Sequence, residues 1–181
     1  MLRFLLLVCL ISLSSEVSAN NKDQIINKLK DTLNLNFNFE QNINGKIEFG
    51  NCTIQYPKKM FCNYDNKNKV IVSNGKSLFI KTTSSYYRYP LDKTPLNFIL
   101  DKNFLLKKIS EINEEIINNS LVKFTIKEIN QSIEIFFDLK NHNLIGWQTK
   151  DIYQNTAVTL LYSVKLNQTV DQKIFKTPLQ N

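Results

Sequence analysis

Glycine and proline are scarce in this chain of 181 residues, four of each, and histidine occurs once. So few glycines leave no Gly-rich loop to cradle a phosphate, where backbone N–H groups must approach the anion without a Cβ in the way. One histidine and three cysteines cannot close a zinc or iron–sulfur centre within one chain, and no cofactor or metal is expected. Arginine is confined to Arg3 and Arg88. The formal charge of +7, at a pI of about 9.2, therefore rests on lysine, which lacks the planar fork that reads phosphates and base edges. The lysines are interleaved along the chain without a polybasic block. Nucleic-acid binding gets no support from that pattern. After the N-terminus no stretch approaches the roughly 20 apolar residues a membrane helix needs.

What the chain does have is the balance of an ordinary globular domain, 43% hydrophobic and 22% charged residues. Residues 1–19 read as a cleaved secretory signal: Arg3 supplies the positive start, Phe4 to Leu13 the apolar core, and Val17-Ser18-Ala19 the small residues of a cleavage site. A lipid anchor on Cys9 fits poorly, because bulky Val8 stands where a small residue is wanted. Cleavage removes Arg3 and Glu16 together, so residues 20–181 keep the net charge of +7 and form one exported domain.

Hydrophobic periodicity sets the elements. Ile25, Ile26, Leu29 and Leu33 form the one-sided stripe of an amphipathic helix over Asn21 to Leu33. From Leu35 the period falls to two, with Leu35, Phe37 and Phe39 alternating with Asn36 and Asn38. Further strands are expected over 45–56, 60–65, 69–73, 77–82 and 85–90, then 111–117, 121–128, 132–139, 144–151 and 156–165. Asn74-Gly75 suits the φ > 0 pair of a type I′ hairpin, and Asn141-His142-Asn143 a similar tip. One helical insert interrupts this antiparallel meander. Thr94 is its natural N-cap, Pro95 fits the first helical position, and Leu96, Ile99 and Leu100 make an apolar stripe. Asp101 is placed to cap a second segment carrying Phe104, Leu105 and Ile109.

A meander with one greasy face hides it by packing on a second sheet or by curling around helices, and this element order suits the second. Catalytic chemistry finds few candidates. His142 lies in a polar turn, so a nucleophile–His pair would have to be built at a hairpin tip. Glu114 and Glu115 are adjacent and face opposite ways in a strand, unlike a catalytic carboxylate pair. Cys52 shares a strand face with Ile54 and Tyr56, and Cys62 with Met60 and Tyr64 on the next strand. Both thiols then point to one side of a hairpin turning near Pro57-Lys58, and an oxidising compartment favours a bridge. A register offset of one residue would instead leave two small inward hydrophobes.

The segments FEQNINGKIEF, YPKKMFCNY, VSNGKSLFI, KTPLNFIL, LIGWQTKD, NTAVTLL and IFKTP run in order through the chain. Their order and spacing, behind a signal peptide, resemble the bacterial periplasmic outer-membrane lipoprotein carrier family, LolA. The resemblance implies a mainly β fold with helices (α+β), an unclosed antiparallel β-barrel whose helical lid covers a hydrophobic cavity. It implies no enzymatic activity. Members of that family receive acylated lipoproteins from an inner-membrane ABC lipoprotein transporter, shelter the acyl chains in the barrel, and pass them to an outer-membrane acceptor. By the same resemblance Leu96, Phe98, Ile99, Leu100 and Phe104 match the lid. Inward candidates from the strands are Phe37, Phe39, Ile54, Tyr56, Met60, Tyr64 and Leu78. Two positions depart from the pattern: Tyr56 stands where the family commonly has an arginine linked to lid closure, and Cys62 where it has an aromatic. A tyrosine there has a hydroxyl to offer a lid carbonyl, but no charge and no donor fork.

The expected protein is thus a monomeric periplasmic carrier that delivers to an acceptor or directly to the outer-membrane surface. The alternative within the same architecture is a periplasmic lipid or lipoprotein sensor or scaffold that does not shuttle cargo. A His142-dependent hydrolase and a structural envelope protein without a cavity complete the competing readings.

Overall fold

Asn20 opens the first helix, α1 (Asn21–Asp31), by accepting hydrogen bonds on its side chain from the backbone N–H groups of Lys22 and Asp23. Ile25 and Leu29 are its buried face. The computed structural model describes residues 20–65, 68–128, 131–150 and 155–178. The signal segment 1–19 and the far end of the 144–151 strand lie outside the described residues.

Six strands follow: β1 (Asn34–Ile43), β2 (Lys46–Gln55), β3 (Lys59–Tyr64), β4 (Lys69–Asn74), β5 (Ser77–Lys81) and β6 (Tyr86–Pro90). After the helical insert come β7 (Glu115–Ile117), β8 (Leu121–Glu128), β9 (Gln131–Asp138), β10 (Leu144–Lys150) and β11 (Thr156–Leu166). They form a single antiparallel sheet in the order β6-β5-β4-β3-β2-β1-β11-β10-β9-β8-β7. Two meanders are therefore joined where the first strand pairs with the last, and β6 and β7 remain free edges. The barrel is unclosed.

This topology dictates where the insert goes. The chain leaves β6 at one edge and must re-enter at β7 on the other, and it makes that passage across the concave face. A 3-10 turn (Leu91–Lys93) leads into α2 (Asn97–Leu100) and α3 (Lys102–Glu111). Phe37 and Trp147, on β1 and β10, meet edge to face at 6.2 Å on that face.

The expected insert differs in detail. Thr94 does not cap a helix; its hydroxyl donates to the Leu91 carbonyl at 2.8 Å, closing the 3-10 turn, and α2 begins only at Asn97. The capping role falls to Asp101, which accepts from the Phe104 N–H at 3.2 Å. Because α3 runs on to Glu111, the strand expected over 111–117 shrinks to Glu115–Ile117. At the β4–β5 turn only Gly75 has positive φ (97°), so the pair is not type I′. Asn74 instead accepts from the N–H groups of Lys76 and Ser77 on its side chain, a local turn bond that Asn makes readily. His142 does adopt a left-handed φ of 59° at its tip.

The C-terminal segment covers part of the convex face. A 3-10 turn, Gln172–Phe175, sets Phe175 against β3 and β4, where Val72 and Phe79 are buried outside the main core. Only the IFKTP motif marked that segment in the sequence.

Candidate functional site

Cross-strand register decides which side chains share the concave face. Leu35, Ile54, Met60 and Leu78 fall in one row across β1, β2, β3 and β5. Phe37, Cys52, Cys62 and Ile71 form the next, and Phe39, Gly50 and Tyr64 the third. Directly opposite residues in an antiparallel pair lie on one side of the sheet. Cys52 and Cys62 are such partners and are joined in a disulfide. The register thus decides for the bridge over two free inward thiols. Gly50 is required by this face: a Cβ there would collide with the Asn63 carbonyl and sit 2.7 Å from the Phe39 ring. That ring lies across the glycine and meets Tyr64 edge to face at 4.9 Å.

The helices close over this surface. Phe98, Ile99 and Leu100 of α2 and Leu105 and Ile109 of α3 are buried, as are Ile25 and Leu29 of α1. All twelve residues expected at the site fall in one apolar cluster: ten are buried within it, and Leu96 and Phe104 are half-buried against it. Phe98 and Phe104 stack at 5.4 Å. The concave face is filled by the lid's own side chains. The inward strand candidates expected from the sequence all lie in the first meander. The second contributes an equal wall of Val122, Phe124, Ile126, Ile133, Ile135 and Phe137 with Trp147, and their strict alternation over 121–128 and 132–137 was a usable signal.

Polar contacts fasten the lid to the rim. The Lys58 N–H donates to the Leu100 carbonyl at 2.9 Å, and the Lys58 ammonium pairs with Asp101 at 2.9 Å. Desolvation opposes ionisation of Asp101, but hydrogen bonds from Lys58 and from the Phe104 and Asn103 N–H groups outweigh it and hold the carboxyl below its ordinary 3.8. Lys102 reaches back to donate to the carbonyls of Lys30 and Thr32, both at 3.0 Å, at the C-terminus of α1. A cation there satisfies orphan carbonyls and complements the helix dipole. The expectation for Tyr56 is overturned: among the described residues its hydroxyl bonds no lid carbonyl and finds no hydrogen-bond partner. It sits beneath the lid with the Lys102 ammonium 5.5 Å from its ring centre, so backbone and lysines do the fastening instead.

The strand ends away from the lid are polar. Glu48, only 7% exposed, pairs with Lys69 at 2.6 Å. Tyr64 donates to Gln41 at 2.9 Å, and Gln41 to Thr159 at 3.0 Å. Burial, and secondarily the Glu48 charge, push the Tyr64 phenol above its ordinary range. An open cleft of about 1560 Å³ lies here, between Glu48, Lys69, Lys81 and Ser84 among others. Its lining mixes charged and hydroxyl side chains with Tyr64, Val70 and Pro178, whereas the surface under the helices is apolar throughout. His142 faces Asn21 of α1 at 3.4 Å. Among the described residues no three His, Cys, Asp or Glu side chains are placed to hold a metal.

An unclosed antiparallel barrel whose apolar concave face is plugged by helices on the edge-to-edge connection defines a lidded half-barrel protein. The chain belongs to the family described as outer membrane lipoprotein carrier protein LolA, whose model matches residues 30–178. Solved structures are similar to it at low identity. An uncharacterized conserved protein from Thermus thermophilus is 7% identical, with a TM-score of 0.51 over 88% of this chain and 95% of that one. A LolA superfamily protein from Nitrosomonas europaea is 10% identical, with a TM-score of 0.46 over 88% and 99%. MucB, in its complex with MucA from Pseudomonas aeruginosa, is 7% identical, with a TM-score of 0.37 over 88% and 62%. No curated protein matches the sequence.

Proposed function

We propose that residues 20–181 act in the periplasm as a monomeric carrier. It takes acylated lipoproteins from an inner-membrane ABC transporter, shields their acyl chains between the concave sheet and the lid, and releases them at the outer membrane. The observation that carries this reading is the apolar cluster itself, in which the lid residues Phe98, Ile99 and Leu100 fill the space that strand residues such as Phe37, Ile54 and Leu78 enclose. Fully burying such a side chain is worth about 1.5–3 kcal/mol, and a methylene about 0.8 kcal/mol. The fully buried Ile99, Leu100, Leu105 and Ile109 together represent about 6–12 kcal/mol on that scale. An acyl chain of about fifteen methylenes represents roughly 12 kcal/mol. Lid burial is thus of the order of one acyl chain, so a lid packed on the empty face competes with the ligand and moderates its net affinity, which favours release.

The test is transfer. Membrane vesicles holding a labelled triacylated lipoprotein and the energised transporter are incubated with the protein, and a soluble one-to-one complex is sought. The complex is expected to form, to discharge its cargo to outer-membrane vesicles, and to be lost in Leu96→Glu. A folded protein that yields no complex beside a working transporter removes the carrier reading. One that binds lipid but never discharges it is a sensor or scaffold.

A further inference from the structure

Tyr56 is buried to 9% exposure in the apolar cluster, and among the described residues its hydroxyl oxygen has no hydrogen-bond partner. It follows Ile54 on the concave face, one residue beyond the end of β2, and the lid passes over it. The neighbouring Lys58 N–H holds the Leu100 carbonyl, and Lys102 of α3 lies above its ring. Its polar neighbours on that rim are engaged: the Tyr56 N–H donates to the Leu33 carbonyl, Lys58 pairs with Asp101, and Lys102 donates to two carbonyls of the α1 end. A phenylalanine would fill the same apolar volume without stranding a donor, since a buried polar group left unpaired is costly. Burial also pushes the phenol far above its ordinary range, so it stays protonated and remains a donor. Oδ1 of Asn97, in α2, is a second buried oxygen without a partner, this one on the lid.

We propose that the Tyr56 hydroxyl is a specificity determinant that donates a hydrogen bond to the carbonyl of an ester- or amide-linked acyl chain bound beneath the lid. This rests on the acyl-chain reading above and deepens it by naming what the site recognises. Hydrocarbon burial alone does not distinguish an acylated molecule from any other greasy chain. A single donor set in an otherwise apolar wall does, because a ligand without an acceptor leaves it unpaired. The carbonyl carries that acceptor, and its attachment fixes where along the chain it meets the rim.

The experiment compares two soluble probes, a monoacylglycerol and the alkyl glycerol ether of the same chain length, by displacement of a fluorescent fatty-chain reporter from the full exported chain. Wild type is expected to favour the ester. In Tyr56→Phe the ester-to-ether affinity ratio should fall about three- to tenfold, the effect of one hydrogen bond. Thermal unfolding of the empty variant should occur at or above the wild-type temperature, since a stranded hydroxyl has been removed. An unchanged ratio, with both probes still bound, overturns the role of Tyr56 and leaves the acyl-chain site standing. A lower unfolding temperature in the variant shows that the hydroxyl has a structural partner and overturns it too. If neither probe displaces the reporter from wild type, the acyl-chain reading itself fails and the proposal with it.

Discussion

Side chains on the concave face tolerate little change, and Gly50 shows why. The Phe39 ring occupies the volume a Cβ would need, and the Asn63 carbonyl closes the other side. Backbone cannot step aside as a flexible side chain can, so Gly50→Ala is an overpacking change expected to cost at least about 1–3 kcal/mol. Chemical denaturation reads this directly, with the midpoint falling and the slope unchanged. The disulfide is the second residue-scale case. Cys52 and Cys62 enclose a short loop, ten residues apart in sequence, and chain-entropy reasoning assigns such a bridge about 2–3 kcal/mol. Replacing both by alanine should lower stability by that order in non-reducing buffer, whereas reductant should reproduce most of the loss in wild type and none in the variant. That the two cysteines face one way was legible in the sequence by counting in twos. That they pair depended on the turn at Pro57-Lys58 setting them directly opposite, and strand counting leaves a one-residue slip open.

At the scale of the element, the lid is an apolar plug with an ionic fastening. Its apolar stripe was legible in LNFILDKNFLLKKI, but its fastening was not, because Lys58, Asp101 and Lys102 come together only when the β2–β3 turn meets the α2–α3 junction. Asp101→Asn retains an oxygen for the Phe104 N–H and removes the charge facing Lys58. The pair is partly exposed, at 37% for Lys58 and 23% for Asp101, so the change should cost only about 0.5–1 kcal/mol at neutral pH. Its pH dependence has a definite sign. The folded-state pKa of Asp101 lies below the unfolded value of 3.8, so its contribution is complete above 3.8 and disappears as pH falls through the lower folded value. Unfolding curves of wild type and Asp101→Asn should therefore differ at neutral and mildly acidic pH and converge in strong acid. A gap that instead persisted in strong acid would mean the ion pair is not its source.

Across the whole molecule, two meanders share one core only because β1 pairs with β11, Leu35 meeting Leu166 and Ile43 meeting Ala157 from opposite ends of the domain. This long-range pairing puts the edges β6 and β7 far apart in the sheet and obliges the connection between them to cross the concave face. An eleven-stranded sheet at about 4.8 Å per strand spans about 48 Å along its arc, so the crossing segment is long enough to carry helices and is placed by topology over the apolar surface. The sequence alone determined the helix and nearly every strand to within a few residues, because alternation of apolar and polar residues is local and each strand records its own facing. It also determined the apolar character of the insert, since a stripe at helical spacing needs no partner to be recognised. Only the tertiary structure decided the partners: which strands join across the middle, that Val122 to Phe137 form the second wall, and that the lid fills the site it covers. It alone left the Tyr56 hydroxyl unpaired under that lid. The reason is that pairing, burial and hydrogen-bond satisfaction belong to residues distant in the chain, and nothing in a local pattern records which distant group arrives.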